Sequence, residues 1–330
     1  MEQGILMKKN STSIFLFFIF AVAACSVPGN RQTVSETDPQ SYQFNEDETL
    51  PPEQAEPALA SEPTRAEQVM RALAEAYPRQ IERAEFRDGD WALLLHGTWY
   101  YYAGGKLLPE NLLTDAAIYS SHSFYNYAGE LPPWITPNAE ENARLRDMSN
   151  NRNSTTIRRS PFFFDDLWNV HNRAESYDKV KTIRFLGKTT MVHYMILENL
   201  SIVEEKILAA AASDPQVMAW KNSINSLEGW NWRNIAETET RSYHAYGLAV
   251  DLLPRSLGGK ETYWLWAMNR RADWWNISYN DRFHPPQKVI KIFETYGFIW
   301  GGKWTFFDTM HFEYRPEILI LNGMPPETRR

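Results

Sequence analysis

Two short polar motifs, far apart in the chain, constrain its folding more than any other feature. The first is Ser242-Tyr243-His244-Ala245-Tyr246-Gly247-Leu248-Ala249-Val250-Asp251, and the second is Asp308-Thr309-Met310-His311-Phe312-Glu313. Two histidines and one aspartate are the residue types that close three sides of a tetrahedral zinc ion and leave the fourth to water. That set belongs to catalytic sites, whereas structural sites normally use four protein ligands. His244, Asp251 and His311 can share an ion only if the fold lays distant segments side by side. His244 and Asp251 are seven positions apart, too far for adjacent turns of one helix face. Gly247 suggests a turn carrying His244 that feeds a strand over 248–253, where Ala249 and Asp251 face the same side. His311 falls on a later strand, after Gly301-Gly302. Taken singly, a histidine or a strand aspartate is more often a hydrogen-bonded structural residue; the shared spacing is what points to metal.

The surrounding pattern is that of an α+β body. Val69, Leu73, Ala76 and Ile81 recur at helical spacing and predict a helix over 65–84. Arg87-Asp88-Gly89-Asp90 predicts a turn, and 91–102 a hairpin reversing near His96-Gly97. Residues 105–160, rich in Pro, Asn, Ser and Tyr, give no clear assignment. A strand is expected over 182–187, a helix over 191–212, and a second helical stretch from Pro215 to about Leu227. Pro285-Pro286 opens a helix that Gly297 stops. Two further strands, at 298–300 and 310–314, flank the second motif. The expected division is an N-terminal helix, β-hairpin and irregular appendage over 65–180, followed by a catalytic unit over 181–330.

Zinc suits two imidazoles and one carboxylate. Such an ion lowers the pKa of water to about 7 and polarises a scissile carbonyl. Asp308, close to the site but outside the ligand set, would accept the water proton and pass it to the leaving amine. Glu313 shares a strand face with His311, so it would orient that imidazole or simply be solvated. No other metal or phosphate site emerges. His96, His122, His171, His193 and His284 lack partners at ligand spacing, and Thr182 stands where a phosphate loop ending Gly187-Lys188-Thr189 requires glycine. Trp264, Trp266, Trp274 and Trp275 read as core or groove wall, with stacking on sugar as the other reading.

The spacing of Ser242, His244, Gly247, Ala249 and Asp251 resembles the SxHxxGxAxD motif of the VanY-like zinc peptidases. That family groups D-alanyl-D-alanine carboxypeptidases with L-alanyl-D-glutamate endopeptidases and is related in fold to the Hedgehog signalling domain. Asp308-Thr309-Met310-His311 resembles the family's second element, and the lead-in Gly297-Phe298-Ile299-Trp300-Gly301-Gly302-Lys303-Trp304 is similar too. The resemblance covers roughly residues 230–317. It implies a Hedgehog-type antiparallel sheet with flanking helices, and zinc held by His244, Asp251 and His311. It also implies Asp308 as general base and acid, and peptidoglycan stem peptides as substrate. Ser242 would sit behind a ligand or touch the substrate. Arg233 resembles an arginine some members place upstream, where it would bind a substrate carboxylate or steady an oxyanion; a surface ion pair is the competing reading. The arginine–glutamine motif of the endolysins is absent. Asp308 stands where the carboxypeptidase branch usually carries Glu, which favours the endopeptidase type. The alternative function is a non-catalytic wall-binding or assembly protein with a structural zinc, against which the retained Asp308 argues.

The N-terminus carries a separate message. Lys8 and Lys9 precede the apolar run Ile14–Phe20, and small residues lead to Cys25, the only cysteine in the chain. A basic start, a short apolar core and small residues describe a secretory signal over 1–24. Val22-Ala23-Ala24-Cys25 resembles the bacterial lipobox, which implies lipidation of Cys25 and anchorage in a membrane; a plain signal peptide with an incidental cysteine is the other reading. Ser26 is compatible with the outer membrane, facing the periplasm. Residues 25–64 form an acidic, Pro-rich linker that cannot bury enough apolar surface to fold. Of 41 acidic and 34 basic residues, eight acids and one base lie between Ser26 and Thr64. With Glu2, Lys8 and Lys9 set aside as leader, the body from Arg65 onward carries about −1. A near-neutral body argues against nucleic acid as a partner.

Overall fold

The computed structural model describes residues 62–131, 133–150, 158–235 and 239–327. The leader, Cys25 and most of the acidic linker lie outside the described residues. Among those described, no helix is long and apolar enough to cross a membrane.

Helix α1 (Arg65–Ala76) starts at Thr64, whose hydroxyl accepts the Glu67 N–H at 3.2 Å. It ends at Ala76, short of the expected 84, and Ile81 belongs to a strand instead. Pro78 explains the early stop: the residue before a proline is pushed out of the helical region, and Tyr77 sits at φ −128°, ψ 53°. Strands β1 (Ile81–Arg87), β2 (Asp90–Leu95), β3 (Thr98–Tyr101) and β4 (Leu108–Pro109) follow as an antiparallel meander in that order. Its first two turns are Asp88-Gly89 and His96-Gly97, with all four residues at positive φ. That left-handed pair matches the twist of the flanking strands.

The segment without assignment carries a 3-10 stretch over Glu110–Ile118 and then α2 (Ala139–Asn150). After α3 (Phe162–Trp168) and α4 (Arg173–Lys179), strands β5 (Val180–Phe185) and β6 (Lys188–His193) form a hairpin around Leu186-Gly187. The helix expected from 191 therefore begins later, as α5 (Leu197–Ser213). Helix α6 (Pro215–Ser223) is capped by the Asp214 carboxylate and stops before Ile224. Residues expected to prolong it form β7 (Ile224–Glu228). Ile224 and Leu227 are three apart, a spacing that suits a helix face, and pairing with the next strand makes the stretch extended instead.

The remaining elements are α7 (Tyr243–Tyr246), β8 (Ala249–Pro254), α8 (Trp264–Met268), α9 (Gln287–Thr295), β9 (Phe298–Trp300), β10 (His311–Tyr314) and α10 (Pro316–Leu321). A second sheet runs β7-β8-β10-β9, antiparallel throughout. The architecture is mixed helix and antiparallel sheet, α+β. On one face of this sheet Val250, Leu252 and Phe312 join the main core with Val203, Ile207 and Phe293. The rings of Phe293 and Phe312 stack at 3.8 Å between centroids. Burying a side chain of this size contributes about 1.5–3 kcal/mol. Because strand side chains alternate, anchoring Val250 and Phe312 in that core turns Ala249, Asp251, His311 and Glu313 to the opposite face.

Candidate metal centre

Strand register makes the first contact. His311 on β10 lies directly across from Asp251 on β8, and Glu313 lies across from Ala249. The His311 Nδ1 and Asp251 Oδ1 atoms are 2.8 Å apart. His244 comes from α7, one turn before β8. The Ser242 hydroxyl caps that turn by accepting the His244 N–H at 3.3 Å. Gly247 then reverses the chain at φ +72°, and a Cβ there would stand 2.7 Å from Val180 Cγ1 and 2.8 Å from the His193 nitrogen. The motif's glycine is thus required both for its backbone angle and for its bare Cα. The reversal brings His244 Nε2 to 3.2 Å from His311 Nδ1 and 3.3 Å from Asp251 Oδ1.

Backbone and side-chain partners assign the proton on each ring. His244 Nδ1 lies 2.6 Å from the Gly229 carbonyl oxygen, so it donates there and leaves Nε2 with its lone pair toward the centre. His311 Nε2 lies 3.1 Å from Glu313 Oε2 and donates to it, leaving Nδ1 as the inward-facing lone pair. Glu313 is buried and also meets Arg315 Nη1 at 3.4 Å, so it is the orienting partner and not a solvated glutamate. Two ring nitrogens and a carboxylate oxygen then converge on one point, an arrangement that needs a positive charge among them, either a shared proton or a metal ion.

Those three atoms suit zinc. Tetrahedral ligands at about 2.0–2.2 Å from the ion stand about 3.3–3.6 Å apart. The His244 edges of the triangle already come within a tenth of an ångström of that, and the His311–Asp251 edge needs to open by about half an ångström. No other group of three His, Cys, Asp or Glu residues comes as close together among the described residues. The electrostatics agree. Burial pushes the Asp251 carboxyl up, but His244 and His311 outweigh it and hold the group well below the usual carboxylate range. Burial works against a charged His311, yet its bonds to Asp251 and Glu313 raise it to about 10, so the place between Nδ1 and Asp251 favours a positive charge, which zinc would supply in exchange for the ring proton.

Asp308 is buried just before β10, and its Oδ1 accepts the Met310 N–H at 3.3 Å. Burial first, and the Asp251 charge second, push its carboxyl up to about 7. A carboxyl poised near neutrality suits proton transfer in both directions. Arg233 lines an open cleft of about 250 Å³ together with Glu228, Asn231, Asp251, Trp266 and Met310. Burial lowers its guanidinium, and Asp251 and Asp308 act in the opposite sense. Ser242 is buried behind His244 and does not line that cleft. Of the four clustered tryptophans, Trp264, Trp274 and Trp275 pack with Phe306 and Phe307, while Trp266 forms cleft wall.

Sequence reasoning missed the Gly229 carbonyl, Arg315 and Trp304, whose ring lies 5.5 Å from that of His311. A carbonyl leaves no side-chain signal. Gly229 itself is a trace, since a Cβ there would stand 2.2 Å from the Met191 carbonyl oxygen.

Residues 236–314, which include the triad and Asp308, match the family model described as D-alanyl-D-alanine carboxypeptidase. The match covers less than half of the chain and supports a peptidase. Residues 69–124 match a model described as a domain of unknown function (DUF8518). No curated protein and no solved structure matches the chain.

Proposed function

We propose that this protein is a zinc-dependent peptidase with the Hedgehog-like fold of the carboxypeptidase and endopeptidase group, acting on peptide stems of peptidoglycan. The observation that supports this most is the cross-strand pairing of Asp251 with His311, closed into a triangle by His244, inside a segment that matches a peptidase family. Held by His244 Nε2, Asp251 and His311 Nδ1, zinc supplies Lewis acidity toward a carbonyl and toward water. The protein's own groups do the rest. Asp308 takes the proton of the attacking water and returns it to the leaving amine. Arg233 holds a carboxylate of the peptide in the cleft, and Trp266 forms the apolar wall beside it. Glu313 keeps the His311 ring in the ligating tautomer, and the Ser242 cap does the same for the position of His244.

The N-terminal leader, lipidated Cys25 and the acidic linker 26–64 would tether this unit at the outer membrane, facing the wall. Some forty flexible residues give a reach of roughly 35 Å. Cys25→Ala should then move the protein from the membrane fraction to the soluble one.

Two bonds are candidates. The description of the matched family points to D-alanyl-D-alanine, and Asp308 in place of glutamate points to L-alanyl–D-glutamate. Digestion of purified muropeptides with mass spectrometry of the products decides between them. Release of single D-alanine or separation at L-alanine–D-glutamate, either one lost with a chelator, supports the reading. Intact muropeptides at saturating zinc contradict it.

A further inference from the structure

A second buried polar cluster adjoins the triad through Glu313. It surrounds a small cavity of about 60 Å³, bounded by Ser123, Arg159, Ser160, Tyr243, Glu313 and Arg315. Arg315 is fully committed: it pairs with Glu317 and Glu313 and donates to the Ser123 carbonyl at 3.2 Å. Arg241 on the same cavity pairs with Asp165. Arg159 is different. It is 8% exposed, and its Nε–H donates to the Ser121 carbonyl at 3.0 Å. Among the described residues, no carboxylate pairs with it. Glu313 acts on it from farther off and already serves His311 and Arg315. A guanidinium removed from water without a counter-ion is strongly unfavourable.

Four more polar atoms share the predicament. Ser123 Oγ, Ser160 Oγ, Tyr243 OH and His122 Nε2 are buried with no hydrogen-bond partner among the described residues. All four residues line this cavity. Ser160 is fully buried, so solvent at the surface cannot serve it. Interiors leave few such groups unmet, and a cluster of them calls for an explanation. Water would satisfy the hydroxyls but not the charge of Arg159. A cation is opposed by two guanidinium groups, and His122 is held neutral, at about 3, by burial and then by Arg159 and Arg315. An anion answers the charge of Arg159 and the three hydroxyls. The guanidinium fork matches the oxygens of a carboxylate or a phosphate, and the hydroxyls donate to the remaining lone pairs.

We propose that this cavity is an oxyanion site, which holds a carboxylate or phosphate group on the Arg159 guanidinium, with the hydroxyls of Ser123, Ser160 and Tyr243 donating to it. The cavity admits a head group and little more. Its occupant would fasten the stretches around Ser123 and Arg159 to the strand that carries His311. The site goes beyond the peptidase reading and stands without it, because none of its residues is a proposed metal ligand.

Isothermal titration calorimetry on the full chain tests it, with inorganic phosphate, acetate and a soluble disaccharide-tetrapeptide as probes. The proteins are the zinc-loaded wild type and the variants His244→Ala, Arg159→Gln and Ser160→Ala; the peptide is used only on backgrounds carrying His244→Ala, where it is not hydrolysed. At least one probe should bind saturably and keep its affinity in His244→Ala, which separates the cavity from an anion held at the metal. Arg159→Gln should weaken that binding about ten- to hundredfold, the scale of a lost charged hydrogen bond. Ser160→Ala, a smaller change that spares the fold, should weaken it severalfold. Binding of phosphate or acetate identifies a free ion as the source, and binding of the peptide alone identifies a stem carboxylate. The proposal is overturned if no probe binds, or if binding is indifferent to both Arg159 and Ser160.

Discussion

The metal triad and the arginine cavity meet at Glu313, yet they treat their polar atoms in opposite ways. In the triad every ring nitrogen is accounted for. His244 Nδ1 is tied to Gly229, His311 Nε2 to Glu313, and the two remaining nitrogens face Asp251. In the cavity, the Arg159 guanidinium has no paired carboxylate and three hydroxyls have no hydrogen-bond partner among the described residues. The first site has too many lone pairs in one place and calls for a cation. The second has too many donors and calls for an anion. The sign of the missing partner is therefore readable from which kind of atom is left in excess.

Four substitutions sharpen that contrast, in order of expected effect. His244→Ala removes one corner of the triangle, so zinc content by elemental analysis should fall to background. Hydrolysis should drop by at least about a thousandfold, given that a bound metal contributes several kcal/mol to the transition state. Full zinc occupancy in that variant would break the assignment of the triad. Asp308→Ala should keep its zinc and lose about 10²–10⁴ in kcat, the range of a positioned acid–base group; unchanged turnover would remove Asp308 from the mechanism. Gly247→Ala should destabilise the fold by about 2–4 kcal/mol, combining a left-handed backbone with contacts that a Cβ cannot fit. Thermal or denaturant unfolding would register this, and a midpoint equal to wild type would show that the reversal at Gly247 is not under such constraint. Glu313→Gln keeps an acceptor for His311 but removes the charge, so zinc affinity in chelator competition should weaken by about ten- to a hundredfold. An unaltered affinity would reduce Glu313 to packing.

Much of the site was legible because strand geometry is simple. Once 248–253 and 310–314 are read as neighbouring strands, the period of two places Asp251, His311 and Glu313 on one face, and Gly247 explains how His244 returns to them. The hairpin turns were legible for a similar reason, since a glycine at the second turn position announces a left-handed backbone. What stayed hidden depended on partners distant in sequence. The 188–193 and 224–228 stretches are short and mix polar with apolar residues, and their identity as strands comes from pairing with β5 and β8. Arg159 lies 156 residues from Arg315, and no spacing rule links two single arginines across such a distance. Arg315 itself follows the second motif closely, but its pairing with Glu313 and Glu317 emerges only when β10 turns into α10.

X-ray absorption at the zinc edge, on protein dialysed to remove loosely held metal, tests the central claim most directly. A single ion per chain should remain, with two imidazole nitrogens, a carboxylate oxygen and one exchangeable light-atom neighbour. Loss of the metal during dialysis, or a shell filled by four protein ligands, would contradict the account.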